Sequence, residues 1–90
     1  MKMEILKQNY KLIKNYKNSF DLEKVMEITT EYFLDFDYIV GDLSYGKIRL
    51  KGFCTKENKL FNKINDYEKI EKYIEEKCAY DCGYFILEKY

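Results

Sequence analysis

Lys47, Arg49 and Lys51 occupy alternate positions, with Ile48 and Leu50 between them. Successive side chains of a strand point to opposite faces, so this spacing predicts an aliphatic face backed by a line of three cations. Such a row neutralises phosphates, and Tyr45 beside it offers a ring on which a base can stack, which together would bind RNA. The same face would suit an acidic protein partner, for which Tyr and Arg are common anchors. A third reading makes it the wet side of a strand, with Lys discouraging edge-to-edge pairing. Arg49 is the one arginine among sixteen basic residues. Its planar fork of donors is not interchangeable with a lysine's point charge, and its two candidate roles are the central ligand contact and a pair with Asp42.

Other chemistries find less support. The chain has no His, so a general base would have to be a carboxylate, Lys or Tyr, and Asp42 or Asp37 beside Tyr45 and Arg49 is the best grouping. Gly41 and Gly46 are followed by Lys47-Ile48 rather than by the Lys-Ser/Thr of a phosphate loop. The cysteines are Cys54, Cys78 and Cys82. A structural zinc needs four ligands, so a carboxylate such as Asp81 would have to complete the set. The thiols read more simply as small buried hydrophobes. No cofactor, metal or catalytic residue is expected.

Composition bounds the rest. Ninety residues make one domain, 1–90, with a modest core, and 47% hydrophobic with 36% charged residues is the balance of a folded soluble protein. Sixteen acidic residues cancel the basic ones, so any pull on a polyanion must come from a local patch. Met1 to Leu6 has no apolar run and no segment approaches a membrane span, so a cytoplasmic protein with reduced thiols is expected.

The cationic strand needs elements to hold it. Tyr38-Ile39-Val40 reads as its partner strand, with Gly41, Asp42, Ser44 and Gly46 as turn residues between them and Asp42 shaping the turn or orienting Arg49. Upstream, Met3–Leu6 and Tyr10–Lys14 read as a hairpin around Lys7-Gln8-Asn9. A helix follows, capped by Asp21 and stapled by Phe20 against Val25, with an apolar stripe through Met26 to Phe33 or Leu34. Leu60-Phe61 is a candidate short strand. Asn65 and Glu68 have the spacing of a capping box for a second helix, on which Ile70, Tyr73, Ile74 and Cys78 are apolar and Glu68 pairs with Lys72. The nearly all-apolar run Tyr84 to Leu87 predicts a central strand covered on both faces. The result is an α+β domain: a mostly antiparallel sheet of five or six strands with two helices, in the order ββαββ(β)αβ. Lys51-Gly52-Phe53 matches the opening of an RNA-recognition motif, but Thr55 and Lys56 break it.

The strings DYIVGDLSYGKIRLKGF and CAYDCGYFIL resemble the YutD-like family of small proteins from low-GC Gram-positive bacteria and their wall-less relatives. The resemblance runs through Asp37 to Asp42, Arg49 to Phe53, and Cys78, Cys82 and Tyr84-Phe85. Leu43-Ser44 stands where the family pattern has Trp-Gly. The resemblance implies the same fold and compartment and adds no reaction. The expected function is binding, of RNA or phosphate through Tyr45, Lys47, Arg49 and Lys51, with an acidic protein partner as the alternative.

Overall fold

A two-residue turn at Leu6 and Lys7, both in the left-handed region (φ 51° and 68°), folds strand β1 (Lys2–Ile5) back on β2 (Gln8–Tyr16). The computed structural model describes residues 1–77 and 81–90. Two-residue hairpins usually place Asn or Gly at such positions. With Leu and Lys there instead, the turn carries no composition signal, which is why the polar stretch Lys7-Gln8-Asn9 looked like the connection. A second tight turn, Tyr45-Gly46 (φ 53° and 77°), joins β3 (Tyr38–Ser44) to β4 (Lys47–Phe53). Gly41, Asp42 and Ser44 therefore lie within β3 and not in a turn, and of the four expected turn residues Gly46 alone stands in one, because Tyr45 and Gly46 make the whole reversal by themselves.

The final strand, β5 (Gly83–Lys89), inserts between β2 and β3, giving one antiparallel five-stranded sheet in the order β1-β2-β5-β3-β4. Its alternation divides the core. Phe85 and Leu87 join Ile39, Tyr10 and Val25 on one face, where helix α1 (Leu22–Ile28) packs. Ile86 joins Val40 and Phe53 on the other, under Ile70, Tyr73 and Ile74 of α2 (Ile70–Lys77). This is the expected α+β architecture with a central β5, two helices and no sixth strand among the described residues.

Local chemistry explains the differences at the helix ends. Asp21 caps α1 as expected, accepting from Lys24 N–H. The helix stops at Ile28 because Thr29 sends both its N–H and its hydroxyl to the Val25 carbonyl (2.9 and 2.6 Å) and then turns extended. Met26 is consequently exposed, and Glu31–Asp35 forms a separate 3-10 turn. Leu60-Phe61 is not a strand. Asparagine amides hold this segment in turns: Asn65 donates to the Leu60 carbonyl, and Asn62 accepts from the Ile64 and Asn65 amides. With Asn65 so occupied, Asp66 caps instead, through Glu68 N–H, and a 3-10 turn at Tyr67–Lys69 leads into α2. Lys72 pairs with Glu76 rather than Glu68, which faces Lys56.

One core residue carries a prediction. The Tyr10 side chain is fully buried and its hydroxyl has no partner among the described residues. A buried polar group without a hydrogen bond opposes folding, so Tyr10→Phe should raise stability by about 1 kcal/mol in urea titration. Burial also pushes the Tyr10 ionisation up to about 12 from its ordinary 10.0. The unfolded chain loses that proton first, so this contribution is complete below pH 10.0 and is lost as pH rises towards about 12. Tyr10→Phe should therefore flatten the alkaline fall in Tm.

Candidate functional site

Asp42 and Arg49 stand directly opposite each other across the β3–β4 ladder. Arg49 Nε and Nη2 donate to Asp42 Oδ1 and Oδ2, each at 2.9 Å, in a bidentate fork. Nη2 also reaches Ser44 Oγ at 3.3 Å and the Lys77 carbonyl at 2.8 Å. Asp42's side chain is 1% exposed and Arg49's 50%. Hydrogen bonds and charge from Asp42 hold the guanidinium's pKa above its usual range. One side chain thus ties β3, β4 and the last turn of α2 together, and a cation there suits the carbonyl end of the helix.

The other candidates separate. Tyr45 projects from the hairpin tip, 95% exposed. Lys47 borders a small groove against α1, with Lys24 and Glu27. Gly41 neither turns the chain nor orients Arg49; its missing side chain makes room for the Phe85 ring, to which a Cβ would come within 2.0 Å. Lys51 lies over two rings, its Nζ 5.4 Å from the Phe53 centroid and 5.8 Å from that of Tyr73.

Around Lys51 two grooves adjoin. The first, about 670 Å³, lies along β4 at Arg49 to Gly52 and is lined also by Tyr32, Phe36, Ile64 and Tyr73. The second, about 320 Å³, shares Lys51, Ile64 and Tyr73 with it and adds Lys63, Lys69, Lys72 and Lys77, against the single carboxylate of Glu76. Two of these side chains are unusually open for their type, Ile64 at 76% and Tyr32 at 68%. Sequence reasoning missed this cationic set. Lys69 and Lys72 are three apart, as neighbours on a helix face are, but only the fold brings Lys51 and Lys63 to them.

Neither groove is lined by Ser, Thr or Cys, and no group of three or more His, Cys, Asp or Glu that could hold a metal ion lies among the described residues. Cys54 is a free, buried thiol whose pKa burial raises, the opposite of nucleophilic activation. Cys82 is disulfide-bonded, which corrects the expectation of reduced thiols at that position; Cys78 lies outside the described residues. Asp81 accepts from Tyr16 and Lys17 at 2.8 and 2.6 Å. No helix is long and apolar enough to cross a membrane among the described residues.

Residues 4–88 match the profile of a family described as "Putative antitoxin YutD-like". A curated relative, "Putative antitoxin YutD" of Bacillus subtilis (strain 168), is 36% identical over 87 residues, which cover 94% of this chain and 96% of the relative. The solution NMR structure of protein yutD from B. subtilis superposes with a TM-score of 0.82 at 31% identity, over 100% of this chain and 82% of that one.

Proposed function

Because this chain belongs to the YutD-like family, whose description is that of a putative antitoxin, we propose that it works by binding a partner protein, as an antitoxin does. The contact surface is the paired groove between β4 and α2. What carries this reading is the mixture found there: open apolar side chains, Ile64 and Tyr32, intermixed with the cations Lys51, Lys63, Lys69, Lys72 and Lys77. Aromatic and apolar anchors inside a charged rim are the anatomy of a protein interface, and the rim's sign selects an acidic partner. RNA binding through Tyr45, Lys47, Arg49 and Lys51 would need stacking and neutralising groups gathered together. Tyr45 instead stands alone at a hairpin tip, and Lys47 borders a separate groove against α1.

The test is affinity capture from a native lysate, with and without nuclease, comparing the wild type with Lys51→Glu/Lys72→Glu. We expect a nuclease-resistant, acidic protein that the double variant loses while keeping a cooperative thermal transition, lowered only by the loss of Lys51's ring contacts and of the Lys72–Glu76 pair. Its expression alone should slow growth, and co-expression of this chain should restore it. Recovery of nuclease-sensitive RNA alone, or a partner indifferent to the two charge reversals, would overturn the reading.

A further inference from the structure

We propose that the outer edge of β4, from Ile48 to Gly52, receives an extended segment of the partner as a sixth strand, with Asp or Glu on the side facing Arg49 and Lys51. This rests on the protein-partner reading above and specifies how the partner is held.

The edge follows from turn geometry. Beside a two-residue turn, the flanking pair Ser44 and Lys47 exchanges hydrogen bonds, and the ladder then alternates. Lys47, Arg49, Lys51 and Phe53 therefore aim their backbone groups at β3, while Ile48, Leu50, Gly52 and Cys54 aim theirs outward. Cys54 bears out the parity: its N–H donates to the Asn65 carbonyl at 2.7 Å and its carbonyl accepts from Tyr67 N–H at 3.0 Å. That parallel bridge ends at Cys54. Ile48, Leu50 and Gly52 have no outward backbone partner among the described residues. β4 is also the terminal strand of the sheet.

The space beside this edge has the form of a slot. Its lining includes Tyr32, Phe36, Ile64 and Tyr73 together with Arg49 to Gly52, and Lys51 lies over the Tyr73 ring. At Gly52 the Phe36 ring fills the place of a side chain, 2.3 Å from an ideal Cβ to Cγ. Backbone bonding to an open edge supplies affinity and alternate side-chain pockets supply specificity, as in strand-addition complexes generally.

Charge chooses the occupant. In an antiparallel pair of two β4 edges, outward-facing residues pair with outward-facing residues, so Lys47, Arg49 and Lys51 of one copy would oppose those of the other. Like charges directly opposite destabilise a ladder. A second copy is therefore disfavoured, and a strand alternating acidic with apolar residues is complementary. Its apolar residues pair with Ile48, Leu50 and Gly52 and give their backbone groups to β4. Its acidic residues lie opposite Arg49 and Lys51, their N–H groups turned away.

That difference provides the test. The ¹⁵N-labelled full chain is titrated with a heptapeptide of alternating Asp/Glu and Val, followed by amide shifts and hydrogen exchange, and with two N-methylated versions. Shifts and protection should concentrate at Ile48, Leu50 and Gly52. N-methylating the valines should weaken binding at least about tenfold, since each removes a donor to β4, while N-methylating the acidic residues should change it less than about threefold. Equal effects of the two, no binding at millimolar peptide, or edge amides already protected by self-association would overturn strand addition. If peptide binding lacks this backbone signature while the captured protein still depends on Lys51 and Lys72, only the strand addition fails. Capture of RNA alone defeats the protein-partner reading whatever the peptide does.

Discussion

Replacing Arg49 by alanine should destabilise the fold by about 2–3 kcal/mol in urea titration. The reason lies in Asp42. Its carboxylate is 1% exposed and receives both forks of the guanidinium, so removing Arg49 leaves a buried negative charge with Ser44 as its nearest polar neighbour along the strand. The Lys77 carbonyl loses its donor at the same time, freeing the end of α2. The figure sits below that for a fully enclosed pair because Arg49's own side chain is half exposed and water can follow it in. Arg49→Lys should recover only part of the loss, since a single ammonium cannot reproduce two parallel bonds. Asp42→Val/Arg49→Val removes the charge along with its partner and sets two β-branched residues across the ladder, so it should be more stable than Arg49→Ala alone. If the single variant costs less than about 1 kcal/mol, or the double costs the sum of its parts, the pair is not the structural clamp described. Any binding defect of an Arg49 variant must accordingly be read beside its stability.

How far the chain could be read in advance depended on how local each determinant was. The alternation Lys47-Ile48-Arg49-Leu50-Lys51 is a nearest-neighbour pattern, and β4 forms with Ile48 and Leu50 on the α1 side of the core. Asp21 and Phe20 signal the start of α1 within a few residues, and the apolar run of β5 announces a strand buried in the middle of the sheet. The family resemblance was equally legible, since the strings that carry it lie within a match spanning residues 4–88. The turns were not. Leu6-Lys7 and Tyr45-Gly46 adopt positive φ with three non-glycine residues, so tertiary pairing rather than residue preference chooses them. Gly41, read as a turn residue, is explained only by Phe85, forty-four positions away in sequence and opposite it in the sheet. The slot at β4 was hidden for the same reason. It exists because β5 takes the central position and leaves β4 at the edge, and because asparagine turns carry Ile64 and the lysines of the α2 region up beside it.

Gly41→Ala should cost about 3 kcal/mol, at the upper end for an added methyl group, because the atom has nowhere to go. Gly41 pairs with Phe85 across β3–β5 and with Leu50 across β3–β4, so its backbone is fixed from both sides. A Cβ there would lie 2.0 Å from Phe85 Cζ and 2.5 and 2.6 Å from the two Cε atoms. The ring covers the bare glycine backbone, and it is itself held edge-on to Phe20 at 5.1 Å between centroids. Moving it would open the contact with Phe20 and disturb the cluster that seats Val25 of α1. A smaller side chain at position 85 should relieve the clash. Gly41→Ala/Phe85→Leu is therefore expected to be less destabilised than the sum of its two single variants by at least about 1 kcal/mol, the coupling of residues in direct contact. Additive effects would place the strain in the strand backbone instead of the ring. The same pair separates folding from binding, because neither residue lines the grooves at Lys51: a variant that melts early but still takes the acidic peptide at low temperature locates the glycine's role in the core and leaves the β4 edge to act alone.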